Sequence, residues 1–310
     1  MIEQILKEIV ILKNHQQIIK INKGFSLEEK YIIALPDSAE KYLLRFFPVN
    51  QLEGKINELK ILERMQNLNV KATRAVDAGE VAGKGYMITT FIEGEDGEEA
   101  LPMLASSDQY QIGFEAGREL YKMHQLEAPN DIQSWYERKR TKHYRYIDSY
   151  KKCGIRFEQD EKIMEFIDQR INLMLERPNI FQHDDFHPSN LIIKNDRLAG
   201  IIDFGRYDYG DPIHEFLKVG MFTRNISIPF SIGQIKGYFN GEAPTENFWN
   251  LYSLYLAMSI FSSVVWILKV AENDIDNMLE KINVILKDHE YFNNTQPSWY
   301  EKFGGQNNER

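Results

Sequence analysis

Sulfur chemistry is almost excluded at the outset, because the chain carries a single cysteine, Cys153. One thiol can form neither an intrachain disulfide nor a thiolate metal cage. Basic charge is also in deficit: Lys and Arg number 37 against 46 Asp and Glu, a formal charge of −9. Such a surface repels nucleic-acid backbones and anionic lipid, and it tolerates or attracts cationic small molecules. The opening stretch MIEQILKEIVILKNH lacks the unbroken apolar core of a secretory signal, since Glu and Lys interrupt it. A cytoplasmic protein with neither nucleic-acid nor membrane partners is the expectation. Long apolar runs are scarce as well. The one long enough to span a bilayer, LYSLYLAMSIFSSVVWILKV at 251–270, contains four serines and two tyrosines and lacks basic flanks. It reads as a helix buried on all sides in a helical lobe.

No repeat of 20 to 50 residues occurs. Residues 1–92 look strand-rich: KYLLRFFP (41–48) and GYMITTFI (85–92) are β-branched and aromatic runs bounded by Gly, Pro and charge. Between them, Ile56, Leu59, Leu62 and Met65 recur at spacing three in 53–68, an amphipathic helix. The acidic, glycine-containing stretch 93–100 (Glu93, Glu95, Asp96, Glu98, Glu99) reads as a hinge and solubilising loop. Beyond it the periodicity is helical over 108–126, 161–177 and 248–271, and the polar end 304–310 is expected to be disordered. The fold class is α+β, with two lobes: a β-rich one at 1–92 and a larger helical one at 101–303.

What the sequence does concentrate is ionisable groups. FQHDDFHPSN, 181–190, precedes LIIKNDRLAGIIDFG, whose Asn195-Asp196 suits the turn of a hairpin. With 195 and 196 in the turn, position 190 lies nearly opposite 201, so Asn190 and Asp203 emerge at one end and Asp185 feeds the first strand. One carboxylate and one amide oxygen, completed by phosphates and water, suit Mg²⁺.

H-x-D-x-x-x-x-N followed by I-I-D-F-G (His183, Asp185, Asn190, Asp203) resembles the catalytic and metal-binding segments of protein kinases. HDDFHPSN with YGDP at 209–212 is more similar to the aminoglycoside phosphotransferase and choline kinase-like family, which has H-G-D-L-H-P-x-N and then D-F-x…G-D-P. The resemblance implies a protein-kinase-like fold with ATP or GTP between the lobes. It makes Asp185 the catalytic aspartate and Asn190 and Asp203 the ligands of Mg²⁺. It also implies Arg45 on the phosphates, where the family usually has lysine, Glu58 as its partner, and adenine contacts along Thr90, Phe91 and Ile92. In NKGFSLEEK (22–30) only Gly24 and Ser26 stand for the glycine-rich loop. Asp184, where the family usually has glycine, His187, Asp208 and Glu215 are candidates for the acceptor side. His187 is either a packed structural ring or a substrate-facing one, and His183 and His124 are expected to be structural. Asp211 reads as a turn or helix N-cap. The basic run ERKRTKHYR, 137–145, reads as a solvated helix face.

The function expected is ATP- and Mg²⁺-dependent phosphoryl transfer to a hydroxyl of a small, cationic molecule such as an aminoglycoside or amino alcohol. Antibiotic resistance is one expected context. Two alternatives stand beside it: a nucleotide-binding, pseudokinase-like regulator, and a metal-dependent phosphohydrolase.

Overall fold

The computed structural model describes residues 2–22, 28–36 and 38–304. They form two compact units, one of residues 1–97 and 190–206, the other of 98–189 and 207–310. The first break falls inside the stretch expected as a hinge. The segment 190–206 groups with the first unit, although a linear division at 93–100 leaves it among the helical residues.

The first unit begins with a short helix, α1 (Ile2–Glu8), and an antiparallel sheet: β1 (Gln17–Ile21), β2 (Glu29–Ala34) and β3 (Lys41–Phe47). Helix α2 (Leu52–Asn67) follows, then β4 (Ala75–Val81) and β5 (Lys84–Phe91). The spatial order is β1-β2-β3-β5-β4. Period-two alternation gives β3 two different faces. Leu44 and Phe46 join Leu6, Ile9, Tyr31, Ile33 and Ile88 in an apolar core under α1. Arg45 lies on the opposite face, across from Met87 of β5. Helix α2 buries Glu58, Ile61, Leu62 and Met65. Ile56, expected on the apolar stripe, is exposed, because a spacing of three drifts around a helix of 3.6 residues per turn.

The unit also holds the two-residue strand Glu95–Asp96, paired with Leu191–Lys194, which pairs in turn with Arg197–Ile201. This pairing attaches 190–206 to the first unit. Gly94, at φ +151°, makes it possible: a Cβ there would stand 2.4 Å from the carbonyl oxygen of Ile193. Glu93 forms ion pairs with Lys41 and Lys194, so the acidic stretch is partly neutralised at its start.

The second unit is helical. Its long helix Glu246–Val270 is apolar enough by length and composition to cross a membrane, yet most of it is buried inside the protein. Only its end shows apolar surface, at Trp266 and Val270. The helices Ser106–Met123 and Ile228–Tyr238 touch backbone to backbone through two G-x-x-x-G pairs. A Cβ on Gly113, Gly117, Gly233 or Gly237 would lie within 2.2 Å of a carbonyl oxygen of the opposite helix. The expected helices at 108–126 and 161–177 are present as Ser106–Met123 and Asp160–Arg170, the latter continuing into a 3-10 turn.

Candidate active site

The three oxygen-bearing residues expected to act together divide between the units. Asn190 and Asp203 belong to the first, and Asp185 to the second.

In the first unit, Arg45 donates to Glu58 Oε1 at 2.5 Å and to Met87 Sδ at 3.1 Å. Glu58 is buried, 4% exposed, and Arg45 is half-buried at 12%, so the pair is not a surface ornament. Two further residues extend it. Lys55, one helical turn before Glu58, lies 3.3 Å from it and 2.7 Å from Glu28, while Glu28 is 3.8 Å from Arg45. Burial alone would lower the basicity of Arg45, but Glu58, Glu28 and Asp203 together raise it, keeping the guanidinium charged. Sequence reasoning found Arg45 and Glu58 and missed Glu28 and Lys55. The available signal was the i, i+3 spacing of Lys55 and Glu58.

The hairpin is turned by Asn195 and Asp196 at φ 53° and 57°, the paired left-handed residues of a type I′ turn. A bulge between Ile192 and Ile193 shifts the register by one residue. Asn190 therefore stands opposite 202 rather than 201, and its carbonyl accepts the Ile202 N–H at 3.0 Å. This brings Asn190 level with the residue just before Asp203. Asp203 has φ +64°, a conformation that Asp tolerates better than most residues. Gly205 leaves room for Glu58: a Cβ there would stand 3.2 Å from Glu58 Oε2 and 3.7 Å from Asp203 Oδ1. One hard carboxylate and one amide on adjoining strand ends fit Mg²⁺, which takes few protein ligands and fills its shell with phosphate and water oxygens. They do not fit a transition metal held by histidines.

Along the expected adenine strip, Thr90 is already engaged. Its N–H donates to the Arg74 carbonyl at 3.0 Å, its carbonyl accepts from Thr73 Oγ1, and its own Oγ1 accepts the Arg74 N–H at 2.8 Å. Phe91 ends β5 opposite Lys41, and Ile92 lies just beyond the strand. Gly24 and Ser26 lie outside the described residues.

In the second unit, the loop after the strand Ile180–Gln182 is built around a buried acid. Glu215 accepts the N–H of Asp184 at 3.2 Å and of Phe186 at 3.4 Å. Burial pushes Glu215 up, but nearby His124, 3.9 Å away, and His183 outweigh it and hold the carboxyl below its usual range. Glu215, expected on the acceptor side, is thus the anchor beneath the loop, 2% exposed. His183 is fully buried, edge-on to Phe186, as a structural ring should be. His124 is a core residue bonded to Tyr238, with the added task of supporting Glu215.

Asp185 receives Lys218 Nζ at 2.9 Å and His187 Nε2 at 3.3 Å on the same oxygen. Burial acts to raise its pKa, yet these two donors push it far below the ordinary range, so the group stays a carboxylate. His187 is itself held by Ser189 at 2.8 Å. Asp184 takes φ +61°, the left-handed backbone where the family usually has glycine. Its side chain remains 38% exposed, and burial together with the Glu215 charge pushes its pKa up to about 6. Lys218 was missed from sequence; it lies one helical stride past Glu215 in the IHEFLK segment.

Asp211 is the N-cap of the 3-10 turn Pro212–Phe216, as expected, and it also accepts two bonds from Arg177 and one from Tyr255. The basic run 137–145 departs from expectation. The helix Trp135–Lys152 turns one face inward, with Trp135, His143, Ile147 and Tyr150 buried. Arg138 binds Asp208 at 3.2 Å, Asn179 at 3.3 Å and the Tyr209 carbonyl. Lys139 reaches His214 Nε2 at 2.6 Å. Tryptophan, histidine and isoleucine at 135, 143 and 147 keep helical spacing with 138 and 139, a pattern hidden by the count of charges. Asp208, an acceptor-side candidate, is matched by Arg138.

A family model described as the phosphotransferase enzyme family, APH, matches residues 17–249. The chain belongs to that family. Among solved structures, the chain is similar to aminoglycoside phosphotransferase APH(4)-Ia at 14% identity and TM-score 0.67, over 92% of this chain and 97% of that one. The gentamicin complex of APH(2")-IIa gives 16% identity and TM-score 0.63, over 94% and 96%. ADP-bound APH(2'')-Ib gives 14% and 0.63, over 96% and 98%. At these identities the likeness establishes the two-lobed kinase-like fold. A search of curated proteins finds no match. As a member of the phosphotransferase family the protein is a small-molecule kinase.

Proposed function

We propose that the protein transfers the γ-phosphoryl group of ATP, or GTP, to an alcohol of a small molecule, with Mg²⁺ as cofactor. The observation that carries this reading is the ionised Asp185, held by Lys218 and His187 on a loop anchored by Glu215, within a chain of the phosphotransferase family. Asp185 accepts the hydrogen bond of the acceptor hydroxyl and takes its proton as the oxygen–phosphorus bond forms and the β,γ-bridge bond breaks, releasing ADP. Arg45, kept charged by Glu58, serves the nucleotide phosphates, and Asn190 and Asp203 supply the protein ligands of the metal. When bound, Mg²⁺ neutralises charge developing on the phosphate oxygens. The neighbouring structures with ADP, or with AMP-PNP and hygromycin B, support nucleotide and small-molecule binding in this fold.

Reading the site as a phosphohydrolase finds no support in its histidines. His124 serves Tyr238 and Glu215, and His214 packs on Trp135 and Tyr255 while accepting from Lys139. The cytoplasm is the compartment proposed for this activity.

The test is ADP release from Mg²⁺-ATP across a panel of alcohols. Asn190→Ala and Asp203→Ala should each raise the Mg²⁺ concentration needed for half-maximal rate by tenfold or more. A rate indifferent to both substitutions and to chelation of Mg²⁺ would refute the assignment.

A further inference from the structure

The surroundings of Asp185 are positively charged, in a chain whose net charge is −9. Lys218 touches Asp185 directly and stands 5.6 Å from the centre of the Phe222 ring. Lys281 approaches the same ring to 6.0 Å, and His187 lies 5.9 Å from it. On the Asp184 side, Lys139 sits on the neutral His214 and over the Trp135 ring at 5.6 Å. Lys142 is close enough for its charge to act on Lys139, His214 and Asp184. Against these four ammonium groups stand the two loop carboxylates, Asp184 and Asp185. Two further acids lie nearby: Asp208 is bound by Arg138 while its charge also reaches Lys139, and Glu215 is held by His124 and the loop amides.

One cation is enough to keep Asp185 ionised, and Lys218 is that cation. Lys139, Lys142 and Lys281 form no ion pair among the described residues, although Lys139 and Lys281 are half-buried. Asp184 and Asp208 act on Lys139 but do not offset its burial and the neighbouring ammonium charge, and an arriving anion lowers that cost. The strain is visible in Lys139, where burial and the charge of Lys142 pull the pKa down to about 7. The side chains of Asp185, Asp184, Lys218 and His187 all retain accessible surface, so a small molecule can reach them. A polycationic aminoglycoside would meet like charge here.

We propose that the acceptor alcohol also carries a negative group, a carboxylate or a phosphate, recognised by Lys139, Lys142, Lys218 and Lys281. This rests on the kinase reading and replaces the cationic acceptor expected from the composition of the whole chain. The hydroxyl of the same molecule meets Asp185 and is phosphorylated there.

The test compares D-gluconate, glucose 6-phosphate, neutral sorbitol and cationic gentamicin as acceptors by ADP release, in the wild type and in a Lys139→Gln/Lys281→Gln variant. The expected result is turnover of an anionic acceptor, with KM raised about tenfold or more in the variant and kcat changed less. Gluconate against glucose 6-phosphate separates carboxylate from phosphate. Preferred turnover of gentamicin would overturn the proposal while leaving the kinase intact. Should none of the four be turned over, 6-phosphogluconate and gentamicin are titrated calorimetrically into protein saturated with AMP-PNP, which fills the nucleotide phosphate site. Binding of the anion, weakened in the variant and in Lys142→Gln, supports the proposal. No anion binding, anion binding indifferent to the substitutions, or tighter binding of gentamicin overturns it. Failure to bind AMP-PNP at all would instead sink the kinase reading.

Discussion

At the scale of single residues, two aspartates of the candidate site, besides Asp196 in the hairpin turn, occupy left-handed backbone: Asp184 at φ +61° and Asp203 at φ +64°. Such positions cost about 1–3 kcal/mol for a non-glycine residue and persist where function or surrounding structure requires them. Asp184→Gly should therefore be neutral or stabilising in urea denaturation, whereas Asp184→Val should destabilise. The titration of Asp184 has a defined sign. Its folded pKa, about 6, exceeds the ordinary 3.8, so the folded state binds more protons between those values. Stability contributed by the protonated form is present below about pH 4 and lost as pH rises through 6. Replacement by Asn should flatten that part of the pH–stability curve; a slope unchanged in Asp184→Asn would assign the dependence to another group.

At the scale of elements, the Arg45–Glu58 pair ties β3 to α2, and breaking a buried pair from one side typically costs about 3–5 kcal/mol. Arg45→Ala should lose stability in that range and weaken nucleotide binding, while Arg45→Lys should recover much of the stability. A surface-like loss below 1 kcal/mol would show that the pair is dispensable. The helix pair Ser106–Met123 and Ile228–Tyr238 makes a separate demand. Gly113→Ala would force a Cβ to 2.2 Å from the Phe230 carbonyl, and the displacement should cost at least about 1–3 kcal/mol in denaturant titrations. These elements also show what the sequence made legible. Strands β3 and β5, helix α2, the hairpin and the long buried helix follow from local periodicity and turn chemistry, whereas β1, β2 and β4 were not read. The one-residue bulge in the hairpin does not, because Ala199 carries no signal for it. The inward turn of Arg138 and Lys139 was hidden for a similar reason: their partners Asp208 and His214 are about seventy residues away, and charge alone reads as solvent-facing.

At the scale of the whole molecule, family membership and the HDDFHPSN–IIDFG pair made the phosphotransfer chemistry legible, since those residues are contiguous. The acceptor was not legible, because the charges proposed to bear on it come from four separated segments, around residues 139, 184, 218 and 281. Net charge does not report local charge: this acidic chain gathers Lys139, Lys218 and Lys281 near the loop that carries Asp184 and Asp185. The central claim is that Asp185 receives the acceptor proton. The most direct measurement pairs AMP-PNP affinity by calorimetry with steady-state ADP release for wild type and Asp185→Asn. Loss of a general base predicts a rate lower by about 10²–10⁴-fold, with nucleotide affinity unchanged within about threefold. Turnover in Asp185→Asn within a factor of two of the wild type would contradict it.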